Sequence, residues 1–198
     1  MPISVVEYDH DWARRFDAER ALLERVLAPW LHGGVHHVGS TAVPGLAAKP
    51  IIDMVAGVRD LARARAAFEP LGWLGYAYSP HRPRAYRFSK PPARHWWECT
   101  HHLHLTEPGG DLWRERLAFR DALRGDAALR ADYQGLKLRL AQEHGDDITA
   151  YTAAKRPFVA RVLARAGIDL PDRSPPDPSA SPAPPALPAR ADPPEPGR

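Results

Sequence analysis

The chain has 198 residues, a single cysteine and 27 Lys+Arg against 24 Asp+Glu, a formal net charge of +3. That length supports one domain with a real core, and one thiol excludes an intrachain disulfide. A mild charge without a dense Lys/Arg block argues against nucleic acid as the leading partner; with no apolar run near 18 residues and no basic start before an apolar stretch, no membrane segment is expected and the location is cytoplasmic.

In chain order, "YDHDWARRFDAERALLERVLAPWL" predicts a helix. Asp9 or Asp11 caps its start, and Trp12, Phe16, Leu23, Leu27 and Trp30 recur at helical spacing. Pro29 disturbs or ends its last turn, and Gly33-Gly34 reads as a turn. "VHHVG" is a short strand, Ser40 to Pro50 is turn-rich, and "IIDMVAGV" is the second strand. "RDLARARAAFEPL" predicts a helix ended by Pro70 and Gly72. "WLGYAYS" and "RAYRFSK" pair as strands around the Pro80–Pro83 turn, and "WWECTHHLHLTE" gives one more strand.

From Asp111 the period becomes helical. Leu112, Leu117, Phe119 and Leu123 mark one helix, and Leu129, Tyr133, Leu136 and Leu140 the next. Ile148, Tyr151, Phe158, Val162 and Leu163 mark the last, with Gly167 as its stop. Strands first and helices last predict an α+β fold. Half of the 22 prolines fall in residues 171–198, where Leu187 is the one large aliphatic. Such a segment buries too little to offset its ordering entropy, so residues 1–170 are expected to form the domain and 171–198 a disordered tail.

The chemistry centres on "HVGSTAVPGLAAKPIIDM". A Gly-Ser turn at a strand end, Gly39-Ser40, brings backbone N–H groups and a hydroxyl to a phosphate. Asp53 lies 13 positions after Ser40, far enough for a turn and a returning strand. A carboxylate there could hold Mg²⁺ bridging phosphate oxygens. Buried among Ile51, Ile52, Met54 and Val55 it is costly unless paired or metal-bound. The plainer reading has Asp53 point out of the sheet or pair with Lys49 or an arginine.

These residues resemble the signature of the GrpB family, a member of the nucleotidyltransferase fold of the polymerase β superfamily. "VVEYDHDWARRF", "RAYRFSK", "HHLHL", "LAFRDALRGDAALRADYQGLKLRLA" and "YTAAKRPFVARVL" extend the resemblance over about residues 3–165. It implies a small mixed sheet packed by helices, with Gly39 and Ser40 gripping nucleotide phosphates and Asp53 as first metal ligand. The superfamily's second acid falls at position 55, where this chain has Val55.

His102 and His104 are two apart and share a face of a strand, at a place that resembles the superfamily's third acid. Either could ligate metal, act as acid or base, or contact phosphate; alternatively both are ordinary hydrogen-bonded strand histidines. With His95, Cys99 and His101 nearby, zinc is a lesser alternative without a supporting spacing. Arg87 and Lys90 could clamp a triphosphate or decorate a solvated edge strand. Lys137 follows Tyr133 by four and Lys155 follows Tyr151 by four, placing each lysine beside an aromatic at a cleft or at the edge of the core. Of Trp96 and Trp97, one could stack a base.

The expected catalytic set is Asp53, His102 and His104, with Asp53 and His104 as ligands of Mg²⁺. The nucleotide-binding set is Gly39, Ser40, Arg87, Lys90, Lys137 and Lys155. The expected function is metal-dependent transfer of a nucleotidyl group from a nucleoside triphosphate to a small-molecule acceptor. The alternative is a non-catalytic module that binds a nucleotide or a coenzyme-A-related ligand, and a histidine-based metal hydrolase ranks third.

Overall fold

The computed structural model describes residues 3–92 and 98–170, the side chain of His81 excepted. His95, Trp96, Trp97 and the proline-rich segment 171–198 lie outside the described residues.

Helix α1 spans Asp11–Leu27 and ends before Pro29. The Asp9 carboxylate accepts the Asp11 N–H at 2.8 Å, so Asp9 supplies the start signal. Trp12, Phe16, Leu23 and Leu27 form its buried stripe. Strand β1, Leu31–Val38, begins earlier than its sequence suggests and runs through Gly33-Gly34. Both glycines take positive φ, 90° and 82°, and absorb an irregularity in the pairing without reversing the chain. A single 3-10 turn, Ser40–Ala42, follows Gly39. Strand β2 is Ile52–Val58.

The next helical segment is interrupted. A 3-10 turn, Arg63–Ala67, leads into the short helix α2, Phe68–Trp73. Pro70 does not stop it: in the first turn the missing N–H has no intrahelical acceptor to lose. Strands β3, Ala77–Arg82, and β4, Ala85–Lys90, form the expected antiparallel pair. Their reversal lies at Pro83-Arg84, with Arg84 at φ 61°, while Pro80 sits inside the edge strand, where a lost donor is tolerated. Strand β5 is His101–Thr106.

The sheet order is β1-β2-β5-β4-β3. Strands β2 and β5 run parallel and the other neighbours antiparallel. One face meets α1 and α2, where Phe16, Leu23, Leu27 and Leu71 enclose Met54, Ala56, Phe88, Leu103 and Leu105. Truncating any of these leucines to alanine costs about 2–5 kcal/mol, by transfer and by the cavity left behind.

Four helices follow: α3 (Asp111–Gly125), α4 (Ala127–His144), α5 (Ile148–Ala154) and α6 (Arg156–Ala164). Asp126 caps α4 through the Leu129 N–H, and Asp147 caps α5 through Thr149 and Ala150. The single last helix expected from periodicity is two, parted at Lys155. Pro157 at the start of α6 has no N–H to continue α5, and its ring clashes with a carbonyl one turn back. Val43 and Leu46, from the segment after β1, join Leu123, Tyr133, Phe158 and Val162 of these helices in a second core. The α+β expectation, a small mixed sheet packed by helices, is therefore observed. Among the described residues no helix is long and apolar enough to cross a membrane.

Candidate functional site

Strand pleating sorts the candidate residues. Asp53 stands opposite Val38 on one side and His102 on the other, and His102 stands opposite Ser89. Val55, His104 and Arg87 make the adjoining row. Because side chains alternate, both rows share one face, opposite the face of Met54, Leu103 and Phe88 that α1 and α2 cover.

Lys90 does not belong to this face, which corrects its expected role beside Arg87. Three positions from Arg87, it emerges on the α1 side with His101. There its Nζ donates to both Glu19 carboxylate oxygens, at 2.9 and 3.1 Å, and the Tyr76 hydroxyl donates to Glu19 at 3.0 Å. Glu19 is buried, and the ion pair satisfies it. The same alternation puts His101 and His102 on opposite faces, so the zinc set that combined them does not converge.

Asp53 and Gly39 come together as expected. The backbone of Gly39, at φ 72°, packs so closely that a Cβ there would lie 2.5 Å from Asp53 Oδ2 and 2.9 Å from Asp53 Cβ. Asp53 Oδ1 accepts a hydrogen bond of 3.0 Å from His102 Nδ1. A carboxylate only accepts, so Nδ1 carries the proton of this hydrogen bond. That Nε2 is buried and has no hydrogen-bond partner among the described residues. The Ser40 side chain is hydrogen-bonded to Tyr133, whose ring stacks on Phe158 with centroids 5.1 Å apart. Burial pushes the Tyr133 hydroxyl far above its ordinary pKa.

Cations from separate segments act electrostatically on this carboxylate. Burial would raise the Asp53 pKa, but the His102 hydrogen bond and charge, followed by Arg116 and Lys49, hold it below the ordinary value. Lys49 precedes β2 and Arg116 lies on α3. Lys155, at the break between α5 and α6, is pushed down to about 7, chiefly by burial and then by Lys49, with Asp53 opposing and Arg116 adding to the shift. Its ammonium lies 4.1 Å from the centre of the Tyr151 ring. Lys137 is 2% exposed and donates to the Ala47 carbonyl. Burial, with Lys155, brings it also to about 7.

The structure thus groups Gly39, Ser40, Asp53 and His102 with Lys155. Lys137 flanks them through Ala47 and its electrostatic contact with Lys155. His104 is buried beside Val55, and Arg87, two strands from Asp53, reaches toward Ser79 Oγ at 3.4 Å. Sequence reasoning weighed Lys49 merely as a partner for Asp53 and did not single out Arg116. Arg116 is one of several arginines between Arg82 and Arg130, and nothing local in the sequence marks which of them turns toward the sheet. Arg116 Nε is buried without a hydrogen-bond partner among the described residues.

A magnesium ion fits this donor set poorly. Val55, where the family resemblance implies a second acid, is fully buried. Among the described residues no three His, Cys, Asp or Glu side chains are grouped to hold a metal. Asp53 is already bonded to His102 and lies in the field of Lys49, Arg116 and Lys155. Mg²⁺ demands a nearly octahedral shell of oxygens, and here it would meet one carboxylate in the field of cationic side chains. The side chain of Asp53 keeps 34% of its surface open.

The family model described as GrpB protein matches residues 2–165. The GrpB crystal structure from Enterococcus faecalis is similar with a TM-score of 0.75 and 32% identity, over 82% of this chain and 96% of that one. UPF0157 protein YqkA of Bacillus subtilis is 34% identical over 159 residues, 79% of this chain and 45% of that protein. A dephospho-CoA kinase of Mycolicibacterium paratuberculosis is 32% identical over 191 residues, 83% of this chain and 46% of the kinase. The chain therefore spans about half the length of the latter two proteins and nearly all of the first.

Proposed function

Since the chain belongs to the GrpB family, we propose that it binds the phosphate groups of a nucleotide or coenzyme-A-related ligand on the Asp53 face of its sheet. The observation that carries this reading is the close Gly39–Asp53 contact together with the electrostatic coupling of Lys49, Arg116 and Lys155 to Asp53. Three cations against one carboxylate favour an anion, and a glycine turn lets an anion approach the main chain. Ser40, held by Tyr133, supplies a hydroxyl at the same turn. The kinship with a dephospho-CoA kinase supports coenzyme-A-related compounds as one ligand group.

This binding-module reading takes precedence over metal-dependent nucleotidyl transfer because Val55 removes an acid the transfer chemistry uses. Isothermal calorimetry tests it with ATP and dephospho-CoA. Lys155→Ala should weaken the bound compound about 10- to 100-fold, the worth of one charge-assisted hydrogen bond. Unchanged affinity in that variant would move the ligand elsewhere.

One observation favours a second reading. Asp53 orients His102 and leaves the buried Nε2 without a partner among the described residues, a nitrogen that could serve as a general base toward an acceptor within its reach. In nucleotidyl transfer, Nε2 would take the proton of an acceptor hydroxyl, whose oxygen would bond the α-phosphorus while pyrophosphate leaves. Pyrophosphate release that depends on His102, measured with ATP and a mixture of small hydroxyl compounds, would support this reading; its absence would leave the binding module.

A further inference from the structure

Resting on that phosphate-binding reading, we infer that the Asp53 face takes its polyphosphate as the free anion, with Lys49, Arg116 and Lys155 supplying the positive charge that Mg²⁺ would otherwise bring. Each of these cations is anchored by a different part of the chain. Lys49 follows Ala48, whose backbone is bridged to Val6, so its position is fixed from the main chain. Arg116 projects from α3, a helix tied to the strand end and the following turn by Arg120 donating to the His37 carbonyl and Arg124 to the Ala42 carbonyl. Lys155 stands at the helix break that Pro157 creates.

These charges do two things that a metal ion would otherwise do. They offset negative charge on phosphate oxygens, and they fix the direction of approach through N–H donors. A Mg²⁺ chelate of the same ligand presents less negative charge, and its ion would enter the field of all three cations. Asp53 then serves the site from within. It orients His102 and offers a phosphate oxygen no attraction of its own.

The geometry orders the outcomes of one experiment on the full chain. Calorimetry uses inorganic tripolyphosphate as probe, once in EDTA and once in excess MgCl₂. Binding is expected in EDTA and should weaken by about tenfold or more when Mg²⁺ chelates the probe. Arg116→Gln and Lys155→Gln should each lower affinity in EDTA about tenfold, while Asp53→Asn should leave it equal or tighter, since a negative charge is removed. Circular dichroism confirms that each variant is folded. ATP and dephospho-CoA, added in EDTA, should displace the probe, and the tighter of the two identifies the ligand's source.

Binding that needs Mg²⁺ and disappears in Asp53→Asn would overturn this inference and leave the phosphate-binding reading standing. Binding in neither condition would overturn both.

Discussion

The Gly39 backbone lies against the Asp53 carboxylate with no room for a methyl group, since a Cβ on residue 39 would come 2.5 Å from Oδ2. Any L side chain there also has to adopt φ near 72°, a left-handed conformation. Gly39→Ala is therefore expected to cost on the order of 1–3 kcal/mol. The added methyl group should also close the turn to an approaching anion and lower phosphate affinity. Urea denaturation and calorimetry check both effects, and a variant with full stability and affinity would show that the close packing is dispensable.

Glu19 and Lys90 supply the control on the opposite face. Glu19→Ala leaves Lys90 and the Tyr76 hydroxyl without their shared acceptor, and removing one member of such a buried pair costs about 3–5 kcal/mol. Lys90→Met should lower stability but leave ligand affinity unchanged. Tenfold weaker binding in Lys90→Met, with the protein still folded, would contradict the assignment of faces.

The buried lysines make stability rise with pH. Lys137 and Lys155 stand at about 7 in the fold against 10.5 when exposed, so between these values the unfolded chain binds more protons. Stability should increase from pH 7 toward pH 10, by at most about 1.4 kcal/mol per pH unit for each lysine. Lys137→Met should flatten that rise in urea titrations. Phosphate binding favours the ammonium form, so ligand affinity should run the other way and fall above pH 7.

His37 sets the acid side. Thr41 gives its hydroxyl proton to the Ile51 carbonyl, so His37 Nε2 must donate to Thr41 Oγ1, at 3.0 Å, while the ring stacks on Phe16. Burial lowers its pKa from 6.5 to about 4. The unfolded chain protonates first, so stability is lost as pH falls below 6.5. Between pH 7 and pH 5 this residue alone accounts for about 2 kcal/mol of that loss. In His37→Gln the same pH step should cost correspondingly less by urea denaturation.

Much of the site was legible because it is local. Gly39-Ser40 and Asp53 lie in one stretch of sequence, and the glycine announces its turn. The placement of Lys90 followed from two-residue alternation once the bounds of β4 were known, for Phe88 points to the core and Lys90 points the same way. The Asp53–His102 pair needed more, because a parallel pairing between β2 and β5 leaves no mark in either strand. Arg116 carried no distinguishing signal among its neighbours on α3; its role arises from how that helix docks. The break at Lys155 was readable in "AAKRPF", where Pro157 interrupts an apolar period that otherwise looks continuous.

That break gives a bound ligand a mechanical consequence. Lys49 and Asp53 belong to the early part of the chain, while Lys155 marks the junction of its last two described helices. A polyanion held by Lys49 and Lys155 together would act as a clasp between distant segments. Its arrival should slow hydrogen exchange first at the amides around residue 155, before the already protected strands register any change.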